Sequence, residues 1–490
     1  MATRSPIAGA PIAGARARIA GALSSPVSAA SAAAFRVLFG LLMLTAVVRF
    51  FAHGWISEYF LEPRHFFTYF GFEWVRPWPG IGMYLHFAAM GALALCITVG
   101  LFYRASVVGF GALFAYAHLI DKTNYLNHYY LVVCLCFLMA FLPLHRYASL
   151  DARRRPALRS ATVPAWVVWA LRAQIGLVYV FGGIAKLKPD WLLGAQPMQI
   201  WLAQSTDVPL LGPLFAERWM AYAMSWAGAA YDLSIVPLLL WRRSRPLAFA
   251  AVVTFHLLTM RLFQLGMFPW IMMASSLVFL PPDWPLRLAT KLRRWLRRSI
   301  PGPGPGPGPT TEPSAPAAPA GPVPAGRPRL ALALLGAYFA LHLAMPFRHL
   351  LYPGDVLWTE EGYRFSWNVM LMEKTGSVDA HVLEPSTGKR WVVSPTEYLT
   401  RYQAKMMSSQ PDMILQFAHL VADDFRARGV RDPQVRIDAV ASLNGRRRAR
   451  LVDPTVDLAH EADGLLPKHW ILPRPSGEDP RSGSTQRAMK

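Results

Sequence analysis

Charge is scarce in this chain, and negative charge is scarcer still. Charged residues make up 16% of the 490, with 29 acidic against 50 basic. So thin a polar coat excludes an ordinary soluble protein of this size, because 53% of the residues are hydrophobic and 17 are tryptophan. Cysteine is nearly absent. Cys96, Cys134 and Cys136 all fall in apolar stretches, so they read as small core residues rather than a disulfide framework. The Cys-x-Cys pair has no His or Cys cluster beside it, and no metal is expected. No nucleic-acid motif accompanies the net charge of +21, whose basic residues stand in short clusters between apolar segments. A nucleic-acid partner is therefore not expected. Residues 1–30, rich in Ala, Gly and Arg, lack a compact apolar core before a cleavage site and read as a disordered leader.

What is abundant is apolar length. Nine segments approach the roughly 20 residues that a bilayer crossing requires. They are 33–53, 82–103, 105–120, 129–145, 164–185, 221–241, 246–262, 266–282 and 329–347. Basic clusters precede the first (Arg4, Arg16, Arg18) and follow the fourth (Arg146, Arg153, Arg154, Arg155, Arg159). Others follow the sixth (Arg242, Arg243, Arg245) and the eighth (Arg287, Lys291, Arg293, Arg294, Arg297, Arg298). With the amino terminus in the cytoplasm, all four clusters lie on the cytoplasmic side, as the positive-inside bias requires. The region after Pro346 then lies outside. The expected architecture is a polytopic α-helical membrane protein of about nine transmembrane helices, with a C-terminal β-rich, sandwich-like α+β domain outside the cytoplasm. Residues 31–298 would form the membrane domain with the first eight spans, 299–328 a Pro/Gly/Ala-rich cytoplasmic linker and 329–347 the ninth span. The outer domain would cover 348–473, and 474–490 a disordered tail.

In the outer domain, Arg364–Met372, Ala380–Glu384 and Trp391–Val393 are expected strands, with a turn at Ser386-Thr-Gly-Lys389. Pro411–Arg428 carries apolar residues at helical spacing. Val435–Leu443 and Arg446–Val452 are expected to form a hairpin around Asn444-Gly445.

Polar residues inside the apolar segments mark function or an internal pair. Lys186 ends the fifth segment, in Gly182-Gly-Ile-Ala-Lys-Leu-Lys-Pro-Asp-Trp191. It is either an anchor reaching for the interface or an amine held where water is scarce and able to take a proton. Arg172 and Asp232, each roughly 12–14 Å from the inner end of its segment, are expected to form a structural ion pair. His256 lies near mid-bilayer, either as a satisfied core histidine or as a site residue. Arg261, nearer the outer face, is a cation able to meet a carboxylate. The loop Asp121-Lys-Thr-Asn-Tyr-Leu-Asn-His128 offers Asn127 and His128 on the same side as Lys186, able to hold an anion or relay a proton.

These elements together resemble the vitamin K-dependent gamma-glutamyl carboxylase family, with the membrane domain (the HTTM type) that it shares with bacterial proteins. The matching pieces run in order from about residue 35 to 460. They include Gly100-Leu-Phe-Tyr-Arg104, Asp121-Lys-Thr123 with Asn127-His128, and Arg172-Ala-Gln174 through Val178-Tyr179 to Gly183-Ile-Ala-Lys-Leu187. Further on come Tyr231-Asp-Leu-Ser234, Phe255-His256, Tyr363-Arg-Phe-Ser-Trp367 and Val452-Asp-Pro-Thr-Val-Asp457.

The resemblance implies an enzyme in which reduced vitamin K, or menaquinol in a bacterium, reacts with O2 on its way to the epoxide. The strong base so formed takes a γ proton from glutamate in a protein or peptide, and CO2 adds. No side chain is basic enough to do this directly, so the cofactor must generate the base away from water. Lys186 matches the family's catalytic lysine, with Lys188 as the neighbouring alternative, and His128 shares the catalytic role. Asn127, His256 and Tyr179 are expected at the cofactor, and Tyr363, Trp367 and Arg261 at the substrate. The sequence departs from the family at Tyr125-Leu126, at Met372 and at Ala185, and it lacks the outer-face cysteines of the vertebrate enzyme. The Ala/Arg-rich composition suggests a bacterial inner or plasma membrane. A quinol epoxidase without a glutamate substrate, or a non-catalytic membrane interaction protein, is the alternative.

Overall fold

The apolar segments become helices because nothing in them offers the backbone a better partner. Without water to satisfy its amides, a chain in lipid closes its own hydrogen bonds. The structure is a computed structural model and describes residues 18–209, 211–263, 265–299 and 328–475. Strand β1 (Pro26–Ser28) leads into helices α1 (Ala30–Ala52), α2 (Gly82–Val99), α3 (Tyr103–Leu119) and α4 (Asn127–Phe141). A second short strand, β2 (Thr162–Pro164), then precedes α5 (Ala165–Ala185), α6 (Arg218–Leu240), α7 (Arg245–Leu262) and α8 (Phe268–Ser276). Helices α9 (Trp284–Ser299) and α10 (Pro328–Ala344) follow.

Each of the nine apolar segments is largely helical, but among the described residues only α1, α2, α5 and α6 are long and apolar enough to cross a bilayer. Four of the expected nine spans are thus borne out among the described residues, and the other segments are helices shorter or less apolar than these. Helix α4 has 15 residues and α8 nine. At about 1.5 Å per residue neither reaches across a hydrocarbon core of about 30 Å. The apolar runs were longer than the helices because turns and chain ends in this fold are apolar too.

Most of the expected linker and tail, residues 300–327 and 476–490, lies outside the described residues, as does 1–17 of the leader. The rest of the leader takes part in the fold: residues 18–24 are helical, and β1 pairs antiparallel with β2, Val27 opposite Val163. This tie brings the starts of α1 and α5 together.

Among the described residues the C-terminal region forms one four-stranded antiparallel sheet rather than a sandwich. Its order is β4-β3-β5-β6, from β3 (Lys374–Leu383), β4 (Arg390–Val393), β5 (Gln434–Leu443) and β6 (Ala449–Arg450). Val435, Ile437, Ala439, Ala441 and Leu443 alternate inward along β5 and pack with α11 (Pro411–Ala427), whose Met413, Leu415, Phe417, Val421 and Phe425 are buried. Asn444 and Gly445 both turn with positive φ, as their sequence predicted, but β6 keeps only two residues.

Arg364–Met372, expected as a strand, is irregular, with positive φ at Phe365, Trp367 and Met370. Its alternation of Tyr363, Phe365 and Trp367 with polar residues mimics a strand. The cause is different: the rings of Phe365 and Trp367 insert into an aromatic bed made by Tyr69, Tyr125, Tyr130 and His342 of the membrane body.

Candidate active site

Lys186 follows the last residue of α5, and its side chain turns back into the protein, with the residue only 5% exposed. Its Nζ donates to Asp232 Oδ2 at 2.8 Å, to the Gly182 carbonyl at 3.2 Å and to the Val369 carbonyl at 3.4 Å. The Trp191 ring lies 5.4 Å from the ammonium, itself held by a 2.7 Å bond from its Nε1 to the Ser225 carbonyl. Two glycines make this approach possible. A Cβ at Gly183 would stand 2.8 Å from Leu233 side-chain atoms and 3.0 Å from its backbone nitrogen, and one at Gly182 would face Asp232. The sequence Gly182-Gly183 thus lets α6 come close enough for Asp232 to meet the lysine.

The expected Arg172–Asp232 pair is therefore wrong. Arg172 instead donates to the carbonyls of Val278 (2.9 Å) and Leu280 (3.2 Å), and its guanidinium covers the Trp169 ring. The packing of Gly182 and Gly183 on Asp232 and Leu233 puts Asp232 ten residues up α5 from Arg172, about 15 Å. Counting each residue from the end of its own apolar run failed because the two runs do not begin at one level. Lys188, the alternative lysine, is about a third exposed and stands 3.7 Å from Asp355.

Asn127 reaches the same C-terminal segment from the other side. Its Nδ2 donates to the Asn368 carbonyl at 3.0 Å, next to the carbonyl that Lys186 holds. Tyr363 donates to Asn368 O at 3.3 Å, and the Asn368 amide returns a bond to the Tyr363 carbonyl. Tyr125 donates to Asn127 Oδ1 and accepts from the Phe365 amide at 2.7 Å. So Lys186, Asn127 and Tyr363 converge on two consecutive carbonyls. Positive φ at three non-glycine residues in this stretch costs about 1–3 kcal/mol each and persists because the surroundings impose it.

A second layer lies deeper. Tyr179, seven residues before Lys186, shares hydrogen bonds with His256 Nε2 (3.0 Å) and Ser276 (3.2 Å). Rings of His128 and His256 each lie 6.0 Å from the Phe268 ring, one from α4 and one from α7. His256 Nδ1 is buried without a hydrogen-bond partner. Such orphaned groups are rare in proteins and ask for a ligand or water.

Two expected substrate residues sit elsewhere. Trp367 is 1% exposed, packed on Tyr130 and His342, so in this conformation it anchors the segment and cannot touch a substrate. Arg261 is exposed at the end of α7, and no hydrogen bond or ion pair joins it to the Lys186 cluster.

Residues 24–284 match the HTTM domain, and residues 327–477 match the vitamin K-dependent gamma-carboxylase lumenal domain. The chain belongs to this carboxylase family. No solved structure matches it. It is an integral membrane protein of that family with a lumenal-type domain, and the two matched regions meet at the Lys186 site.

The family's two regions are joined here without cysteine. Asp190 accepts from Asn444 (2.8 Å) and from both terminal nitrogens of Arg446 (2.7 and 2.5 Å). Asp412 takes Lys122 at 2.8 Å and Arg364 at 2.7 Å. Burial opposes ionisation of Asp412, but the Arg364 guanidinium and the Lys122 ammonium overcome it and hold the carboxyl well below the usual carboxylate range. Asp121 nearby goes the other way: burial pushes it up to about 6, although Thr123 and Gln403 donate to it. Neither clamp was legible in the sequence, because partners such as Lys122 and Asp412 are 290 residues apart.

Proposed function

We propose that this protein is a quinol-dependent gamma-glutamyl carboxylase, acting on glutamate in a protein or peptide that approaches from the side of the outer domain. The observation that carries the reading is the buried Lys186–Asp232 pair under a segment of the lumenal-type domain. A bacterial plasma membrane with the amino terminus inside is the matching location.

The residues present fit a flat, two-ended aromatic alcohol. Phe255, Phe268 and Tyr179 supply ring surfaces, and His256 Nδ1 is a buried polar atom without a partner. Asn127, His128, His256 and Tyr179 would hold such a quinol, either vitamin K or menaquinol. When bound, it supplies with O2 a base strong enough to remove a γ proton from glutamate, so that CO2 adds to the carbon. Lys186 manages the first proton. It hands one to Asp232 Oδ2 across 2.8 Å, which frees its lone pair to accept a hydroxyl proton. Asp232 keeps that proton within the pair, so no net charge has to enter or leave the buried site. Asn127 and Tyr363 hold the overlying backbone in place, which keeps water from the amine.

The test is incorporation of labelled CO2 into a glutamate-containing peptide with reduced vitamin K. Wild type should carboxylate, and Lys186→Ala should lose at least about 100-fold, the range for a general base. Undiminished incorporation in Lys186→Ala would overturn the assignment. Quinol oxidation without incorporation in the wild type would point to the epoxidase alternative.

A further inference from the structure

Helix α9 stands apart from every other helix of the membrane region in where it keeps its charge. Between Trp284 and Ser299 it carries Arg287, Lys291, Arg293, Arg294, Arg297 and Arg298, with no acidic residue. At 100° per residue, Trp284, Pro285, Leu288, Ala289, Leu292, Trp295 and Leu296 occupy an uncharged arc of about 140°, and Arg287, Lys291, Arg293 and Arg294 fall on the opposite arc. Beyond its first turn the apolar arc is largely exposed: Leu288, Leu292 and Leu296 are 56%, 52% and 45% exposed.

The start of the helix is fixed. Pro282 accepts a 3.0 Å bond from the Ser31 amide at the head of α1. Arg172, whose charge inside the membrane region is otherwise unexplained, clamps the Val278 and Leu280 carbonyls just before it. Asp283 pairs with Arg287 across the first turn at 2.6 Å. These contacts set α9 at the end of the bundle where α1 and α5 begin, far from Lys186 at the other end of α5. The basic residues Arg242, Arg243 and Arg245 between α6 and α7 share that end.

A helix with one apolar face and one cationic face, pinned at a membrane rim, has the chemistry of an interfacial anchor. We propose that α9 lies in the plane of the bilayer surface and docks on anionic phospholipid. Its leucines and Trp295 enter the acyl boundary, and Lys291, Arg294 and their neighbours meet the phosphate headgroups. Charge complementarity selects this occupant: Arg287, Lys291, Arg293 and Arg294 on one face repel a parallel second copy and favour a negatively charged leaflet. The Arg172 clamp holds the chain at the depth where the helix must emerge. This inference concerns the opposite membrane face from the proposed active site and does not depend on its chemistry.

The test uses the full chain in nanodiscs of phosphatidylcholine alone or mixed with phosphatidylglycerol. Hydrogen exchange over 284–296 should slow about tenfold in the mixed lipid and return toward the phosphatidylcholine rate in high salt. Lys291→Glu/Arg294→Glu should lose that dependence on lipid charge. In a Cys96→Ser background, a nitroxide at Leu292→Cys should be reached by oxygen and one at Arg294→Cys by a water-soluble nickel chelate. Exchange equal in the two lipids, or both labels equally open to the chelate, would overturn the proposal. So would protection that appears only when two copies share a disc, which would make the occupant a second copy.

Discussion

Removing Asp232 is the sharpest probe of the geometry around Lys186. The two side chains are 7% and 11% exposed and 2.8 Å apart, so little water screens them. At an effective dielectric of about 20, charges at that distance attract by about 6 kcal/mol, much of it offset by the desolvation of both groups. Breaking such a pair from one side leaves a buried charge unmatched and costs about 3–5 kcal/mol, whereas removing both partners costs much less. A double-mutant cycle of Lys186→Met and Asp232→Asn should therefore show a coupling of about 3 kcal/mol, read by thermal unfolding at one scan rate in nanodiscs. The double mutant should melt about 3 °C above the value expected from adding the single effects. The same cycle between Arg172→Gln and Asp232→Asn should be additive, because ten residues of α5, a rise of about 15 Å, lie between Arg172 and the level of Asp232. Additivity for Lys186 with Asp232, or strong coupling of Arg172 with Asp232, would refute the arrangement.

Gly183→Leu should disrupt the α5–α6 contact and lower stability by about 1–3 kcal/mol, the range for overpacking; an unchanged melting temperature would count against the close approach seen at Leu233. Asp412 contributes stability that is fully present above the unfolded carboxylate pKa and lost as pH falls below about 4, since its folded value is depressed. Hydrogen exchange in residues 410–416 should accelerate over that window, and Asp412→Asn should flatten the response. Asp121, with its folded pKa raised to about 6, works in reverse: its contribution is greatest at acid pH and falls as pH rises from about 4 to 6. Asp121→Asn should remove that slope from a pH series of melting temperatures. Asn127→Ala should cost about 1 kcal/mol of stability from its bond to Asn368, and a larger loss of carboxylation than of stability would place it at the cofactor.

The residues of the site were legible because several of them are chemically out of place. A lysine at the end of an apolar run, an aspartate in another and a histidine in a third each stand out against lipid, whatever they touch. The family pattern then ordered them along the chain. Their partners were not legible. Asp232 was matched with Arg172 by depth alone, and the glycines that shift the two helices against each other carry that information only in three dimensions. The strand expected at 364–372 failed for a related reason: alternation records which side chains are buried, not whether a neighbouring strand or an aromatic bed buries them.

By itself, then, the sequence determined that this is a membrane protein with a mixed β and α C-terminal domain, that it belongs to the carboxylase family, and where its unusual polar groups lie. Those follow from composition, apolar length and local motifs, which act over a few turns of chain. Only the tertiary structure decided which helices are long enough to span, that Lys186 meets Asp232, that Trp367 is an anchor, and that Asp190 and Asp412 tie the two regions together. Each of these depends on residues brought together from distant parts of the chain, and no local pattern encodes that distance.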